Sequence, residues 1–409
     1  MGKRTRKFIA TAGLSLTCLL VPAIAADAQT FGVLHTFSVL HTFTGGSDGA
    51  NPLAGLTVDK SGNLYGTAEY GGAGYGTAFE LKRAASGWTF DLLYTFASGS
   101  DGAAPVARLM PGPQGRLYGT TSQGGGGGGT VFDLGASPKR ESGKERSLYR
   151  FANSSFGSEP SSGDLTFDAA GNVYGTTSSG GASGNGTVFE LTRSGRGWNE
   201  TVLHSFAGGS SGDGTDPVAG VIFDAAGNLY GTTSAGGSFG YGTVFQLTPS
   251  RSGWSETILH SFAEQGDGAV PYAGLTFDRW GDLYGAATDG GTSGGGTIFE
   301  LTPSSGGWAF NALYSVPGWG ISGPFRKPVI DGSGTIFGTT HCDGAYSEGS
   351  VFELRRSGST WTYTALHNFT GGADGGFVFS NPVFDTRGDI FGTTQVGGTG
   401  YGVVWEISP

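Results

Sequence analysis

The pattern [LVI]-[YF]-G returns seven times along the chain, placing an aromatic residue at Tyr65, Tyr118, Tyr174, Tyr230, Tyr284, Phe337 and Phe391. Successive copies are 53, 56, 56, 54, 53 and 54 residues apart. A unit of this length, repeated this often, restricts the chain to a solenoid, a propeller or an array. The fourth copy is the fullest: "DPVAGVIFDAAGNLYGTTSAGGSFGYGTVFQLTPSRSGWSETILHSF", residues 216–262. It divides into four apolar runs, "AGVIFD", "NLYGTT", "GTVFQL" and "WSETILHSF". Each is strand-length and rich in β-branched or aromatic residues, and none has a helical period.

The first two runs are joined by a D-x-x-G turn. Asp stands six residues before the repeat aromatic in every copy except the second, where Gly112 replaces it. Gly stands three before it in all seven copies, from Gly62 to Gly388. The Asp side chain can accept backbone N–H bonds and the Gly can take the positive φ of a tight hairpin. Four strands in each of seven units predict an all-β, seven-bladed β-propeller of four-stranded blades. A linear β-solenoid is the second architecture, although its repeats are usually much shorter. Gly is 80 of 409 residues, a share that without periodicity would suggest disorder. The 12% aromatic content argues against that. A blade lies between two others, so neither face of its strands meets water. The repeat Trp residues (88, 198, 254, 308, 361) are assigned to this packing.

The seventh unit supplies "NPVFD", "DIFGTT" and "GVVWEIS" and lacks a fourth run of the L-[HY]-x-F type. That run stands instead at the front of the chain, where "VLHTF" is written twice, at 33–37 and 39–43. Residues 38–43 are therefore expected to complete blade 7 and close the ring, which removes an open sheet edge. The copy at 33–37 is read as spare register or as a short tail.

Residues 1–28 have the form of a secretory signal: basic "KRTRK" (3–7), apolar "FIATAGLSLTCLLVPAIA" (8–25), then small-residue cleavage patterns ending at Ala25 and Ala28. An uncleaved membrane anchor is the alternative, but Ser, Thr, Gly and Pro interrupt the stretch. The mature chain, 29–409, would be one propeller domain, secreted or held in the periplasm or at the cell surface, and monomeric. Cleavage after Ala28 would leave Cys342 as the only cysteine, so the exported fold would rely on packing. It would also remove four positive charges and one negative, taking the net charge from -10 to -13. Such acidity disfavours nucleic acid and anionic membranes as partners.

The combination D-x-x-G-N-L-Y-G-T-T, a Gly-rich stretch, G-T-V-F-E-L and W-x-x-x-x-L-H-x-F resembles the GloVer (Gloeo/Verruco-type) tandem-repeat family of secreted bacterial proteins. The resemblance covers about 38–409. It implies export and a propeller-like fold, and carries no activity with it. Members often end in a surface-sorting anchor, whereas "VVWEISP" shows none, so release is expected.

In a propeller the loops joining strands two and three share a face with those joining one blade to the next. The first set here is glycine-rich, as in "AEYGGAGYG" (68–76) and "SAGGSFGYG" (234–242). The second carries Asp48, Asp101, Asp213, Asp267 and Asp374, each followed by Gly. These pairs are read first as turns, and second as a carboxylate collar that would attract cations at the channel mouth. Calcium is the metal considered, but it wants six to eight oxygens, which one Asp per loop does not supply. No other cofactor is indicated. Five of six histidines (35, 41, 204, 260, 367) are assigned to the [HY] position, which also accepts Tyr94, Tyr149 and Tyr314. A position that accepts Tyr for His asks for an aromatic with a polar tip, so these histidines are read as structural.

His341 is the exception. It lies in "THCDGAYSEGS" (340–350) with Asp343, Tyr346 and Glu348, and the loop entering the same blade carries Trp319, Arg326 and Lys327 in place of its Asp-Gly. Two adjacent loops that leave the repeat pattern together, and gain acid, base and aromatic groups, are the candidate ligand site. Alanine at both Trp319 and His341 would be expected to abolish ligand binding without lowering the melting temperature. Drift within a degenerate repeat is the bland alternative. The G-x-S-x-G strings ("GGSDG", "GGSFG") lack the strand-to-helix turn a hydrolase elbow requires, and the G-x-G strings fail as dinucleotide loops for the same reason. No catalytic residue is assigned. Two functions remain: a secreted non-catalytic propeller presenting its loop face to an extracellular glycan or protein, or an extracellular carbohydrate-active enzyme, a glycoside hydrolase or lyase, using channel-mouth carboxylates.

Overall fold

A computed structural model describes residues 35–135, 143–152, 156–160, 163–209, 212–318, 320 and 322–409. The signal segment, the cleavage sites and Trp319 lie outside the described residues. Each repeat forms one antiparallel sheet, and the seven sheets are the blades of a β-propeller. Blade 1 orders its strands Thr57–Val58, Leu64–Ala68, Thr77–Ala84 and Gly87–Thr95 from the axis outward. Among the described residues no helix is long and apolar enough to cross a membrane.

The hairpin chemistry is as the repeat pattern predicts. Asp59 Oδ1 accepts the N–H groups of Ser61 at 2.8 Å and Asn63 at 2.9 Å. Asp168, Asp224, Asp278, Asp331 and Asp385 repeat this geometry in their own blades. In blade 2 a Cβ on Gly112 would stand 2.5 Å from the Tyr118 ring, so the closer packing there tolerates no side chain.

The innermost run is shorter than the sequence suggests, with two residues in the ladder in most blades (Ile222–Phe223 in blade 4). Just before it the chain kinks through a left-handed residue at the same place in six blades: Asn51, Ala104, Glu159, Asp216, Val270 and Phe377, with φ between 54 and 57°. For Val and Phe this conformation is strained, by about 1–2 kcal/mol. The kink aims each N–H at the previous blade's glycine-rich loop, as in Val270 to the Tyr241 carbonyl at 2.9 Å and Phe377 to that of Glu348 at 2.8 Å. The inner chain is thus bonded to the neighbouring blade as well as to its own sheet, where Ala103–Pro105 and Ser158–Pro160 pair with strand two.

Three layers of contact sew most blades to the next, while between blades 5 and 6 Ala286 and Val316 stand where the Thr and the Phe of the other seams would be. Innermost, a strand-two Thr hydroxyl donates to the next blade's inner carbonyl, as in Thr176 to Ala219 and Thr232 to Ala273, both at 2.9 Å. In the middle, the Phe ending strand four packs edge-on against a strand-three Phe of the next blade. Phe96 meets Phe132, Phe151 meets Phe189, Phe206 meets Phe245 and Phe262 meets Phe299, with centroids 5.1–5.3 Å apart. All these rings are buried, and burial contributes roughly 1.5–3 kcal/mol for each. The outermost layer is the [HY] position, described below.

The ring closes with the same three layers. The N-terminal strand Thr36–Thr42 pairs antiparallel with Val403–Ser408 and completes blade 7. Thr393 donates to the Ala54 carbonyl at 3.0 Å, and Phe43 meets Phe79 at 5.3 Å. The duplicate segment is put to use: the strand starts at Thr36, and Phe37 stacks on His367 of blade 6 at 3.8 Å. His35 therefore stands two residues before Phe37, where Trp88 stands two before Phe90. This places it outside the [HY] position to which the pattern assigned it.

Candidate functional site

The loop face carries the Asp-Gly turns. Asp48 accepts the Thr44 N–H at 3.0 Å, Asp101 that of Ala97 at 2.8 Å, Asp267 that of Ala263 at 3.0 Å, and Asp374 that of Thr370 at 3.1 Å. Each also reaches back to the [HY] ring of the preceding strand. His41, His260 and His367 bring Nε2 to within 3.2, 3.0 and 3.1 Å of Asp48, Asp267 and Asp374, and the Tyr94 hydroxyl donates to Asp101 at 3.1 Å. These four carboxylates are each committed to the outermost strand of a different blade. Asp213 accepts the Ala207 N–H at 2.6 Å in the same manner, but its histidine geometry differs.

The described residues of the sixth-blade set do not converge on one pocket. His341 is 2% exposed, packed among Phe325, Phe377 and Phe379 with its ring centroid 4.1 Å from that of Phe379. Burial pushes its imidazole down to about 4, so it is neutral and serves as a packing ring. This corrects its placement on an exposed loop, and with it the expectation that His341→Ala would leave the melting temperature unchanged, because that change opens a cavity. Asp343 turns into its own loop, accepting from Thr340 and from the Ser350 hydroxyl at 3.0 Å. Burial raises it to about 6 against those hydrogen bonds. Tyr346 is exposed, and burial followed by the Asp374 charge raises the half-buried Glu348.

Arg326 and Lys327 point elsewhere, into the central channel. Four residues before each hairpin Asp position the repeats carry Gly55, Arg108, Asp164, Gly220, Gly274, Lys327 and Asn381, and this ring lines the cavity on the axis. Arg108 grips Asp164 with both ends of its fork, Nε to Oδ1 at 3.2 Å and a terminal nitrogen to Oδ2 at 2.6 Å. Lys327 Nζ adds a third contact at 2.9 Å. Burial alone would raise the Asp164 carboxyl. The charges of Arg108 and Lys327 overcome it and hold the group well below the usual carboxylate range. Arg326 donates to the Phe379 carbonyl at 2.6 Å, and burial brings it down to about 10. The space left is about 30 Å³, room for a water molecule or two and not for a sugar ring. Repeat spacing could have revealed this ring, since its seven residues share one register position.

Exposed large aromatics are unevenly distributed. Tyr70, Tyr75, Phe156, Phe239, Tyr241, Tyr346 and Tyr401 all stand on loops of the one face, each 36–61% exposed. On the opposite face the exposed ring among the described residues is Trp280, on a strand one–two hairpin. Glycine permits this arrangement: a Cβ on Gly45 would lie 2.7 Å from the Tyr401 ring that covers it.

The [HY] position also meets the next blade's outermost strand. His41 stacks on Phe90 at 4.2 Å, His260 on Phe310 at 4.0 Å and Tyr314 on Tyr363 at 4.9 Å. Between blades 3 and 4 the partner is Glu256. His204 Nε2 lies 3.4 Å from Asp213 Oδ2 and 3.5 Å from Glu256 Oε1. The three donor atoms lie within 4.8 Å of one another.

The repeat profile of Gloeobacter and Verrucomicrobia matches residues 29–222 and 138–325. No curated protein matches the chain. Among solved structures the chain is similar to a protein provisionally assigned as a 6-phosphogluconolactonase from Bacteroides uniformis. The identity is 15% and the TM-score 0.51, over 78% of this chain and 84% of that one. It is also similar to an ulvan lyase of polysaccharide lyase family PL25, with 12% identity and TM-score 0.51 over 88% and 93% of the two chains. At such identities the likeness is one of fold.

Proposed function

Because the chain belongs to the Gloeobacter/Verrucomicrobia repeat family, whose unit here builds a ring with two unlike faces, we propose that it is a non-catalytic binding propeller for an extracellular glycan. The observation that carries this reading is that, among the described residues, seven large aromatic rings are exposed on the loop face against one on the other. Isolated Tyr and Phe rings between glycines suit the C–H face of a pyranose, while the loop amides and Tyr hydroxyls suit its hydroxyls. A protein partner would more often ask for a contiguous apolar patch. Exposed carboxylates on the same loops, Glu159 and Glu264, and the acidic net charge favour a neutral polysaccharide over an anionic one.

The channel argues against catalysis as the main role. Its carboxylate, Asp164, is held ionised by two cations and so has no proton to give a leaving group. The cavity beside it is too small for a sugar. Export accords with the signal-like residues 3–28.

The test is affinity electrophoresis of residues 29–409 through neutral and anionic polysaccharides, with reducing ends and unsaturated products assayed in parallel. Retention on a neutral glycan without cleavage is expected. The triple variant Tyr75→Ala, Phe239→Ala, Tyr346→Ala should weaken it at least tenfold with an unchanged melt. Retention by no polysaccharide, or release of products from one, would overturn the reading.

A further inference from the structure

The seam between blades 3 and 4 brings one imidazole and two carboxylates together. His204 is on the strand Gly197–Ser205, Asp213 in the loop that follows it, and Glu256 on the strand Gly253–Ser261 of the next blade. Where the equivalent partner is Phe, the His–Asp pair closes to 3.0–3.2 Å as a hydrogen bond. Here the imidazole stands 3.4 and 3.5 Å from two carboxylates, too far for a good hydrogen bond to either. Its Nε2 and the Glu256 Oε1 are buried with no hydrogen-bond partner.

Those separations have another meaning. Ligands about 2.0–2.2 Å from a tetrahedral metal stand about 3.3–3.6 Å from one another. We propose that His204, Asp213 and Glu256 form a binding site for a divalent first-row transition metal of the zinc type, pinning blade 3 to blade 4. The donor set of one imidazole nitrogen and two carboxylate oxygens selects such ions over calcium or magnesium, which prefer oxygen alone. A metal would satisfy the two orphaned atoms together, which a single N–H cannot do. The half-buried position leaves the fourth ligand to water. The site needs the Glu as well as the His–Asp pair, so the seams of His41, His260 and His367 lack it. It is independent of what the loop face binds.

The test uses the untagged mature protein, stripped with EDTA, then titrated with Zn2+ by calorimetry and thermal melting. Co2+ absorption serves as the coordination readout. One equivalent of Zn2+ per chain, a rise in melting temperature of several degrees and a tetrahedral Co2+ band are expected. Glu256→Phe and His204→Tyr each install a residue that other seams use at that position, so the fold should survive at least one of them. Both variants should bind at least tenfold more weakly. Absence of a bound equivalent in the parent protein, equal binding in a folded variant, or a Ca2+ response equal to that of Zn2+ would each overturn the assignment.

Discussion

Three consecutive seams of the ring place a glutamate where the other four place an aromatic ring. Glu145, Glu200 and Glu256 face Tyr94, Tyr149 and His204, while Phe90, Phe310, Tyr363 and Phe37 stack on His41, His260, Tyr314 and His367. Burial pushes each of the three carboxyls up to about 7. The histidines report the same contrast. Burial lowers His41, His260 and His367 despite their Asp partners. Burial also pulls His204 down, but the Asp213 contact and the Glu256 charge outweigh it and raise the group. The middle layer does not follow this division, since Phe96, Phe151, Phe206 and Phe262 pack alike in both arcs. The buried Phe ladder thus runs through both arcs, interrupted by Val316 between blades 5 and 6, and the outermost layer is where one arc exchanges packing for ionisable groups.

The strongest test of that division is to remove an aromatic seam completely. Deleting residues 29–43 takes away the fourth strand of blade 7, the Phe37 stack on His367 and the Phe43 contact with Phe79. It should abolish cooperative unfolding followed by circular dichroism. An unchanged, cooperative melt would break both the closed ring and the Phe ladder's part in holding it.

The ring and its closure were legible because they are periodic: a turn Asp and Gly at fixed offsets leave few architectures, and a missing strand shows against six complete units. The role of the first "VLHTF", at 33–37, was not legible, because its Phe37 matters through a neighbouring blade, which no local pattern records. The [HY] position reads as structural from its tolerance of Tyr for His, but that tolerance does not reveal its Asp partner. The signal was present, since His41 and Asp48, Tyr94 and Asp101, His260 and Asp267, and His367 and Asp374 are each seven residues apart. The spacing widens to nine between His204 and Asp213, where the geometry changes. The sixth-blade residues show the limit of reading departures from a repeat. The His341 imidazole stands where the other repeats have a non-aromatic residue and packs on Phe325 and Phe379, and Lys327 meets Asp164 across the channel. A change of packing partner and a change of function leave the same mark in one sequence.

A smaller effect should follow from converting one kind of seam into the other. Phe310 packs against His260, Phe262 and Phe299. In Phe310→Glu that packing is lost and a carboxylate is buried, at a cost of roughly 3 kcal/mol in metal-free buffer at pH 8. The penalty should shrink toward pH 5, where the new carboxyl is protonated. Urea melts at the two pH values measure it, and a penalty independent of pH would mean that packing alone separates the arcs.

The reverse exchange should give the smallest change and the sharpest one. The Glu200 carboxyl titrates near 7 in the fold against about 4.5 when unfolded, so between those values the folded chain binds the extra proton. Its favourable contribution is therefore complete below about pH 4.5 and is lost as the pH rises through 7. Glu200→Tyr would place a ring on Tyr149 as Tyr363 lies on Tyr314, and would remove that loss. The variant should gain roughly 1 kcal/mol at pH 8, after allowance for solvent screening, and little at pH 4.5. Equal gains at both pH values would show that tyrosine packing, and not the buried carboxylate, distinguishes the acidic arc.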